Sequence, residues 1–485
     1  MKQSVTREDL IKIDETMFEI PTSYRSDMRV PARIVVNETL LQELFKDKSL
    51  MQMVNVTTLP GIVNYAFAMP DIHEGYGFPI GGVAATNIAQ GGVISPGGIG
   101  YDINCGVRLL AAEMSLQDIR PHLQELATEL FNAVPSGVGR GGKLKLSIKE
   151  LDKILLQGID YLLERDLGTE SDKEFCEENG SMKGADPALV DQRAKERGHD
   201  QLGTLGSGNH FLEIQHVDKI FDPSAAAVFG LKEGMVTVMI HCGSRGLGHQ
   251  VCTDYVRSFM PNLQKWGIEL PDRELVCAPF TSPEGQDYYS AMQAAANFAW
   301  ANRHMIGHTA RQVWHKVFGN GFTLRTVYDV SHNMGKQETH TINGKDTALL
   351  VHRKGATRAF GPGRPEIPAY YRPIGQPVII PGTMGTASYV LVGASAGMDV
   401  AFGTSCHGAG RKMSRMQAKK QVRGSTLRES LEQQGIIIQC ESDPGLAEEA
   451  PLAYKDVEEV VDVVQKAKLA TKVARLTPLA VIKGG

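Results

Sequence analysis

The sequence lacks the features of a membrane, secreted or disulfide-bonded protein. No apolar run is long enough to cross a bilayer. The first twenty residues are amphipathic and contain acids, unlike a secretory signal. The cysteines number seven and form no CxxC pair, so we do not expect a disulfide framework. A reducing cytoplasm is therefore the expected location.

A net positive charge and the common nucleotide-binding motifs are also absent. The formal net charge is −4, so no basic field covers the whole surface, and a nucleic acid would need a local basic patch. The sequence has no GxxxxGK[ST] run, which argues against a P-loop, and no KxDG-like lysine motif. If a nucleotide is activated covalently here, histidine is the better candidate nucleophile.

Helical and strand-like segments are mixed along the chain. The predicted helices cover residues 39–52, 288–318 and a segment from the capping box at Ser147 to about 165. Residues 166–200 are predicted to be a polar surface excursion, and 455–475 to be helix-like. The predicted strands cover 107–113, 235–240, 323–330 and 388–392. Candidate ligands spread over residues 102–407 have to meet, which favours one catalytic unit over several domains.

Five residues among glycines or beside predicted strands are candidate metal ligands. Asp102 and Cys105 lie three positions apart in GGIGYDINCGVR, where both could bind one ion or the thiolate could bridge two. His210 stands in LGSGNHFLE, and His241 and His332 each follow a predicted strand. A carboxylate, a thiolate and imidazoles suit a borderline divalent transition metal. The alternatives are a turn-forming Asp102, a buried apolar Cys105 and a core histidine at 210.

A histidine beside a basic stretch is the candidate nucleophile. His407 opens HGAGRKMSRMQAKKQVR, which contains no acid. Such charge runs are usually solvated helix faces, but the position directly after a histidine and glycines favours a phosphate-rich substrate. Arg245, in HCGSRGLGH, is a candidate phosphate clamp, and HRKGATRAFGPGR adds Lys354. From the residues alone, the chain is predicted to be a divalent-metal enzyme of phosphoryl transfer.

The motifs, taken together, resemble those of the RtcB family of RNA ligases. They are GGIGYDINCGVR, LGSGNHFLE, HCGSRGLGH, YDVSHNMG, HRKGATRA, PGTMGTASY, SCHGAGRKMSR and VIKG, in this order from about residue 60 to the end. The resemblance implies an α+β fold in a single catalytic domain over residues 1–485, distinct from the nucleotidyltransferase fold of ordinary ligases.

The same resemblance implies an activity. The family joins RNA 3′-phosphate or 2′,3′-cyclic phosphate ends to 5′-hydroxyl ends, uses GTP and Mn²⁺, and passes through a histidine–GMP intermediate and an RNA–ppG end. It implies a role in tRNA splicing or RNA repair. RNA and GTP would be the ligands, archease a candidate activator, and no membrane would be involved.

Residue roles also follow from the resemblance. His407 would carry the GMP. Cys105 would bridge two manganese ions, with His241 and His332 completing the ligands of one ion and Asp102 and His210 those of the other. The implied nucleotide contacts are Asn209, Glu213, His332, Asn333, Thr383, Ser388, His407, Gly408, Gly410, Tyr454 and Lys483. The implied RNA-phosphate contacts are Arg245, Lys354, Arg411 and Arg415. Thr383 replaces a serine that is common in the family and keeps the hydroxyl.

Two other functions use the same residues. A metal-dependent phosphoesterase or nuclease would employ the same ligands, with His407 as a general acid. A non-enzymatic RNA-binding protein would hold a structural metal. Only the ligase hypothesis predicts a covalent, acid-labile GMP adduct when the protein meets labelled GTP.

Overall fold

Two large β-sheets organise the computed structural model, which describes residues 4–137 and 139–484. The strands are β1 (Ile11–Lys12), β2 (Met17–Ile20), β3 (Ala32–Val35), β4 (Ala66–His73), β5 (Ile80–Asn87), β6 (Val93–Ile94), β7 (Gly106–Ser115), β8 (Phe211–Ile220), β9 (Met235–Cys242), β10 (Ala278–Pro279), β11 (Leu324–Ser331), β12 (Asn333–Ile342), β13 (Lys345–Lys354), β14 (Ala356–Arg358), β15 (Pro377–Ile380), β16 (Ser388–Gly393), β17 (Thr404–Cys406), β18 (Ile437–Cys440) and β19 (Ala470–Lys483).

Helices cover the sheets and fill the connections between them. They are α1 (Glu38–Leu44), α2 (Ser49–Val56), α3 (Leu116–Ile119), α4 (Leu123–Ala133), α5 (Ile148–Gln157), α6 (Asp160–Leu163), α7 (Glu170–Glu174), α8 (Gln192–Gly198), α9 (Pro223–Phe229), α10 (Arg245–Phe259), α11 (Pro283–Phe318), α12 (Ser395–Ala401), α13 (Arg415–Gln421), α14 (Gly424–Gln433), α15 (Asp443–Glu448) and α16 (Val457–Lys466). Sheets and helices of this kind confirm the predicted α+β class; the division into domains stays a prediction.

The larger sheet has the strand order β11-β7-β9-β8-β19-β16-β15, with β18 added beside β19. Its neighbours along that path are antiparallel, and β18 runs parallel to β19. Every residue of β9 is buried, because apolar side chains of α4 and α11 cover one face of the sheet. A strand buried on both faces is a continuous apolar run instead of an alternating one, as MVTVMI is.

The second sheet has the strand order β1-β2-β3-β4-β5-β13-β12. Its core includes apolar side chains of α1, α2 and α16. β12 begins at Asn333, two residues after β11 of the larger sheet ends at Ser331. His332 therefore stands at the junction of the two sheets.

The long helix α11 packs against the larger sheet and begins and ends as the sequence signals require. Ser282 accepts a hydrogen bond from the N–H of Gly285, and Pro283 occupies the first helical position. The helix ends at Gly319, whose φ of 71° disfavours other residues. Among the described residues, no helix joins the length and the apolar character that crossing a membrane requires.

Several predicted elements differ from the structure at their ends. The 39–52 prediction is two helices, α1 and α2. The capping box at Ser147 is confirmed, but α5 stops at Gly158, where φ is 60°. The helix-like prediction for 455–475 is wrong after Lys466, because β19 is an interior strand paired with β8 and β16.

The polar segment 166–200 is only partly a surface excursion. Its Asp172 is fully buried and lies within ion-pair distance of Arg108 and Arg311. Burial of an acid requires such partners, since an unpaired carboxylate in the interior is costly. The segment therefore contributes charge to the interior that its composition alone did not indicate.

Asp329 of β11 is the acid at the centre of the buried charges. Its carboxylate accepts from Nε of Arg108 at 2.8 Å and from Nη2 of Arg303 at 2.8 Å, and the three side chains are 0% exposed. Removing one partner of a buried ion pair leaves the others uncompensated.

We expect Asp329→Ala to lower the free energy of unfolding by about 3–5 kcal/mol, measured by urea denaturation. Glu129→Ala is the control, because Glu129 pairs with Lys316 at the surface and exposed pairs contribute little. Equal losses in the two variants would contradict the assignment of Asp329 as the compensating charge.

Candidate functional site

Sheet register brings the candidate metal ligands to one edge. Gly106 is paired with Cys242 on one side and with Ser331 on the other, and Phe211 is paired with His241. Cys105, His332 and His210 each adjoin one of these paired residues in sequence. Four ligand candidates from distant parts of the chain therefore lie side by side where four neighbouring strands begin or end.

The loop before β7 is held by a buried arginine. Asn104 has a φ of 52°, a conformation that non-glycine residues adopt rarely. Arg303 of α11 donates to the carbonyl of Asn104 at 2.7 Å and to that of Cys242 at 2.9 Å. The N–H of Asn104 donates to the carbonyl of Asn333 at 2.8 Å. These bonds fix the loop that carries Asp102 and Cys105 against the end of β9.

Two groups of three ligand atoms share the Cys105 sulfur. One consists of Cys105, His241 and His332, and the other of Asp102, Cys105 and His210; within each group the ligand atoms lie within 4.8 Å of one another. Sγ of Cys105 is 3.4 Å from Nε2 of His210 and 3.4 Å from Nε2 of His241. Sulfur, nitrogen and oxygen donors at this spacing fit divalent transition metals, and the shared sulfur fits a bridge between two.

Contacts among the ligand candidates, and hydrogen bonds from Ser244, orient their side chains. Oδ2 of Asp102 lies 2.9 Å from Nε2 of His210. Oδ1 of Asp102 accepts from the N–H of Ser244 at 2.9 Å and from the Ser244 hydroxyl at 3.1 Å. Nε2 of His241 is 3.3 Å from Nε2 of His332. A carboxylate that is hydrogen-bonded in this way keeps its remaining lone pairs in a fixed direction.

Burial sets the protonation of these ligands. Burial lowers the pKa of His241 and of His332 well below the usual value, with neighbouring histidines adding to the effect. Both imidazoles are therefore neutral, which is the form that binds metal. Burial, with the Asp102 charge, raises the pKa of Cys105 to about 12. A divalent cation at this sulfur favours the thiolate and reverses that shift.

His407 stands beside this cluster, at the end of β17. Its ring centroid is 4.8 Å from that of His332, and its Nδ1 is 2.5 Å from Oδ2 of Asp71. The same carboxylate oxygen accepts from the N–H of His407 at 3.0 Å and of Gly408 at 3.2 Å. Because a carboxylate can only accept, Nδ1 carries the proton and Nε2 keeps its lone pair.

Sequence reasoning missed Asp71. It lies in the buried strand β4, and its side chain is fully buried. Burial alone would raise the pKa of Asp71, but His407 and the backbone N–H groups outweigh it, so the net pKa lies below the usual value. An acid inside the apolar run AFAMPDIH was the available signal, since a buried acid needs a partner.

A cavity of about 240 Å³ connects His407 to the metal-ligand cluster. It is lined by most of the residues predicted to bind nucleotide: Asn209, Glu213, His332, Asn333, Thr383, His407, Gly408, Gly410, Tyr454 and Lys483. Ser388 does not line it; its hydroxyl accepts from the N–H of Gly382 at 3.0 Å and so shapes the wall. His210 lies behind Asp102 and Cys105, outside the lining.

The lining of the cavity also includes titratable groups. Burial raises the pKa of Glu213 to about 8 and lowers that of Lys483. Glu449, which the sequence did not single out, is also buried and lines the cavity. It accepts from Nη1 of Arg411 at 3.2 Å and from Nε of Arg415 at 3.0 Å.

The four predicted phosphate contacts divide into two pairs. Arg411 and Arg415 line the cavity. Arg245 and Lys354 do not; both are buried, and they donate to backbone carbonyls, Arg245 to Gly137 at 3.2 Å and Lys354 to Phe78 at 3.2 Å. This geometry suits the holding of loops, and phosphate contact by these two residues stays a prediction.

We expect Cys105→Ala to weaken binding of Mn²⁺ by more than about tenfold, because even the partners of ligands contribute 10–100-fold to metal affinity. Metal retained after dialysis, measured by mass spectrometry, is the readout. Cys252→Ala is the matched control, since Cys252 is buried beside Pro96 and belongs to neither ligand group. Equal metal retention by the two variants would refute a ligand role for Cys105.

Comparison with known proteins identifies the family of the chain. The sequence profile of the family described as "tRNA-splicing ligase RtcB" matches residues 52–484. The chain is 53% identical over 478 residues to the tRNA-splicing ligase RtcB of Archaeoglobus fulgidus, covering 98% of this chain and 99% of that protein. It is 51% identical over 436 residues to the RNA-splicing ligase RtcB of Mycobacterium tuberculosis, covering 90% and 100%. Over nearly its whole length, the chain belongs to the RtcB family.

Proposed function

We propose that this protein is a GTP- and Mn²⁺-dependent RNA ligase that joins RNA 3′-phosphate or 2′,3′-cyclic phosphate ends to 5′-hydroxyl ends. One observation carries the proposal: His407, oriented by Asp71, lines a cavity that is also lined by Asp102, Cys105, His241 and His332, four of the five residues in the two ligand groups that share Cys105. The names of its relatives, RNA-splicing and tRNA-splicing ligases, support the substrate class.

His407 is the proposed nucleophile of the first step. Its Nε2 attacks the α-phosphate of GTP; a P–N bond forms, the bond to the bridging oxygen breaks, and pyrophosphate leaves. Asp71 holds the proton on Nδ1 and stabilises the positive charge that the ring gains during attack. In this form of covalent catalysis the imidazole is the nucleophile. The carboxylate acts only through the imidazole, by orienting it.

The cavity walls are proposed to hold the nucleotide. Lys483 and Glu213, neighbours at the deep end, provide a donor and a carboxyl for the base. Gly408 and Gly410 place backbone beside the phosphates without a side chain. Arg411 and Arg415, at the edge of these walls, are instead proposed to neutralise RNA phosphates, and Glu449 keeps both guanidinium groups in position.

The mixed nitrogen, oxygen and sulfur donors fit a divalent transition metal, and manganese is proposed because of the family resemblance. Asp102, Cys105 and His210 would hold one ion, and Cys105, His241 and His332 the other. When bound, such ions neutralise phosphate charge and align attacking and leaving oxygens. The protein supplies the neutral imidazoles of His241 and His332 and the oriented carboxylate of Asp102 on its own.

The second and third steps explain the need for GTP. An RNA 3′-phosphate is a poor electrophile, so its oxygen attacks the His407-bound GMP and the P–N bond breaks, giving RNA–ppG. The 5′-hydroxyl of the second strand then attacks the RNA phosphate; a phosphodiester forms and GMP leaves. His407 is required for the first two steps and is a bystander in the third.

We expect His407→Ala to abolish the GMP adduct formed with radiolabelled GTP and Mn²⁺, and with it ligation of a 3′-phosphate RNA. The variant should still seal a prepared RNA–ppG end to a 5′-hydroxyl strand. His308→Ala, on the far helix α11, is the control and should form the adduct normally. An adduct on His407→Ala equal to that of the wild type would refute the assignment.

RNA cleavage without any adduct would favour the phosphoesterase or nuclease alternative, and RNA binding without either would favour the non-enzymatic one.

Arg415 provides a test of RNA contact. Its side chain is 53% exposed although it pairs with Glu449, so it can reach a phosphate outside the cavity. We expect Arg415→Ala to lower the logarithmic salt slope of RNA binding by about 0.7 and to leave guanylylation of His407 largely intact. Arg423→Ala is the control, because it lies at the end of the same basic segment, away from the cavity. An unchanged slope would return Arg415 to a solvated surface.

The names of the relatives support only tRNA or RNA splicing, and the rest of the biological setting is proposed from the family resemblance. We propose that tRNA halves or broken RNAs are the natural substrates, that archease is a candidate activator, and that the protein works in the cytoplasm. Ligation of paired tRNA halves, with and without added archease, tests the first two proposals directly.

A further inference from the structure

A strip of aromatic rings runs along the surface next to the metal-ligand cluster. The rings of Tyr76 and Tyr101 meet edge to face, with centroids 5.2 Å apart. The ring of Tyr101 is nearly parallel to that of His249, at 29° and 6.0 Å between centroids. The two tyrosines are half-buried and His249 is exposed. The proposed chemistry uses none of the three.

The strip adjoins the metal-ligand candidate that is separated from His407 by the longest series of side-chain contacts. The sequence of contacts runs from His407 to His332, then to His241, to Cys105 and to His210, and ends at Asp102. Tyr101 directly precedes Asp102 in the chain. Tyr101 therefore adjoins the ligand group that lacks His332, the histidine in contact with His407.

Two further features of the strip suit a nucleic acid end. The backbone carbonyl of Tyr76 accepts from Nζ of the buried Lys354, which fixes the loop that carries the ring. The exposed Arg197 donates to the side chain of Gln250, the residue after His249, at 2.9 Å. In the described part of the chain no carboxylate forms an ion pair with Arg197. A cation without an acid partner therefore adjoins the rings.

We propose that this strip binds the terminal nucleotide of the 5′-hydroxyl RNA strand, with its base stacked on Tyr101 and His249 and the following phosphate at Arg197. The proposal rests on the ligase function proposed above. Aromatic rings beside a cation are the usual means of holding single-stranded nucleic acid without regard to sequence.

The in-line geometry of the sealing step favours the 5′-hydroxyl strand over the 3′-phosphate strand as the occupant of the aromatic strip. In the sealing step, the 5′-oxygen has to attack the RNA phosphate from the side opposite the departing GMP. The GMP occupies the His407 end of the cavity, so the attacking strand has to enter at the opposite end, beside Asp102. Tyr101 directly precedes Asp102 and its ring lies against that of His249, so these two rings suit the attacking strand.

The test uses full-length protein and a prepared RNA–ppG strand, so that sealing is measured alone. Tyr101→Ala and His249→Ala are each expected to raise the KM for the 5′-hydroxyl strand about tenfold, and Tyr101→Phe to keep it near the wild-type value. Adduct formation with GTP should be unchanged in all three, which shows that the metal site remains intact. Tyr370→Ala, which removes a 60% exposed ring elsewhere, is the control.

A second arm removes the base instead of the ring. A 5′-hydroxyl strand whose first nucleotide is abasic should seal poorly with wild-type protein and equally poorly with His249→Ala. Arg197→Ala should lower the salt slope of 5′-strand binding by about 0.7. Equal KM values for the ring variants and Tyr370→Ala, or a defect confined to the 3′-phosphate strand, would overturn the proposal.

Failure of the ligase function gives a different result. Wild-type protein would then form no GMP adduct. The affinity for a 5′-hydroxyl oligonucleotide, measured by fluorescence anisotropy, still decides the role of the strip: loss in Tyr101→Ala and His249→Ala but not in Tyr370→Ala supports it, and no loss overturns it.

Discussion

The ion pair between Arg303 and Asp329 is the interaction on which the site depends. The guanidinium donates to Asp329 at 2.8 Å and, on its other side, to the carbonyls of Asn104 and Cys242. One buried charge thus joins the loop carrying two ligand candidates to the strand end carrying a third. Such a charge is tolerated in the interior only with its partner in place, so the fold and the site share one constraint.

Register and burial give that framework a set of side chains that could hold a metal ion. Four adjacent strands place their ligand residues at one edge, and burial keeps His241 and His332 neutral. The same burial would keep Cys105 protonated, so the thiolate and a bound cation favour each other. His407 belongs to another strand and is oriented by a different acid, Asp71. The proposed nucleophile and the metal-ligand candidates are therefore held separately, although the two histidines His332 and His407 are in contact.

Sequence patterns predicted the parts of this arrangement that depend on local physics. Buried strands such as β9 and the capped helix α5 follow from apolar runs and capping residues. The metal-ligand candidates were found because they stand at strand ends or among glycines, and the structure brings all five together. Asp71, Glu449 and Arg303 were not found, because their partners lie far away in the chain and only the fold shows the contact. The burial of Lys354 and Arg245 was missed for the same reason, since a basic sequence does not show which cations bind backbone carbonyls. The error at the C-terminus has a tertiary cause as well: β19 is a strand because β8 and β16 pair with it.

We propose that Cys105 joins two metal ions beside a nucleophilic histidine. Anomalous diffraction at the manganese edge, from crystals grown with Mn²⁺, tests it most directly. We expect two anomalous-difference peaks for each chain. One should lie within bonding distance of Cys105, His241 and His332, and the other within bonding distance of Asp102, Cys105 and His210. A single peak, or two peaks of which neither contacts the Cys105 sulfur, would contradict it.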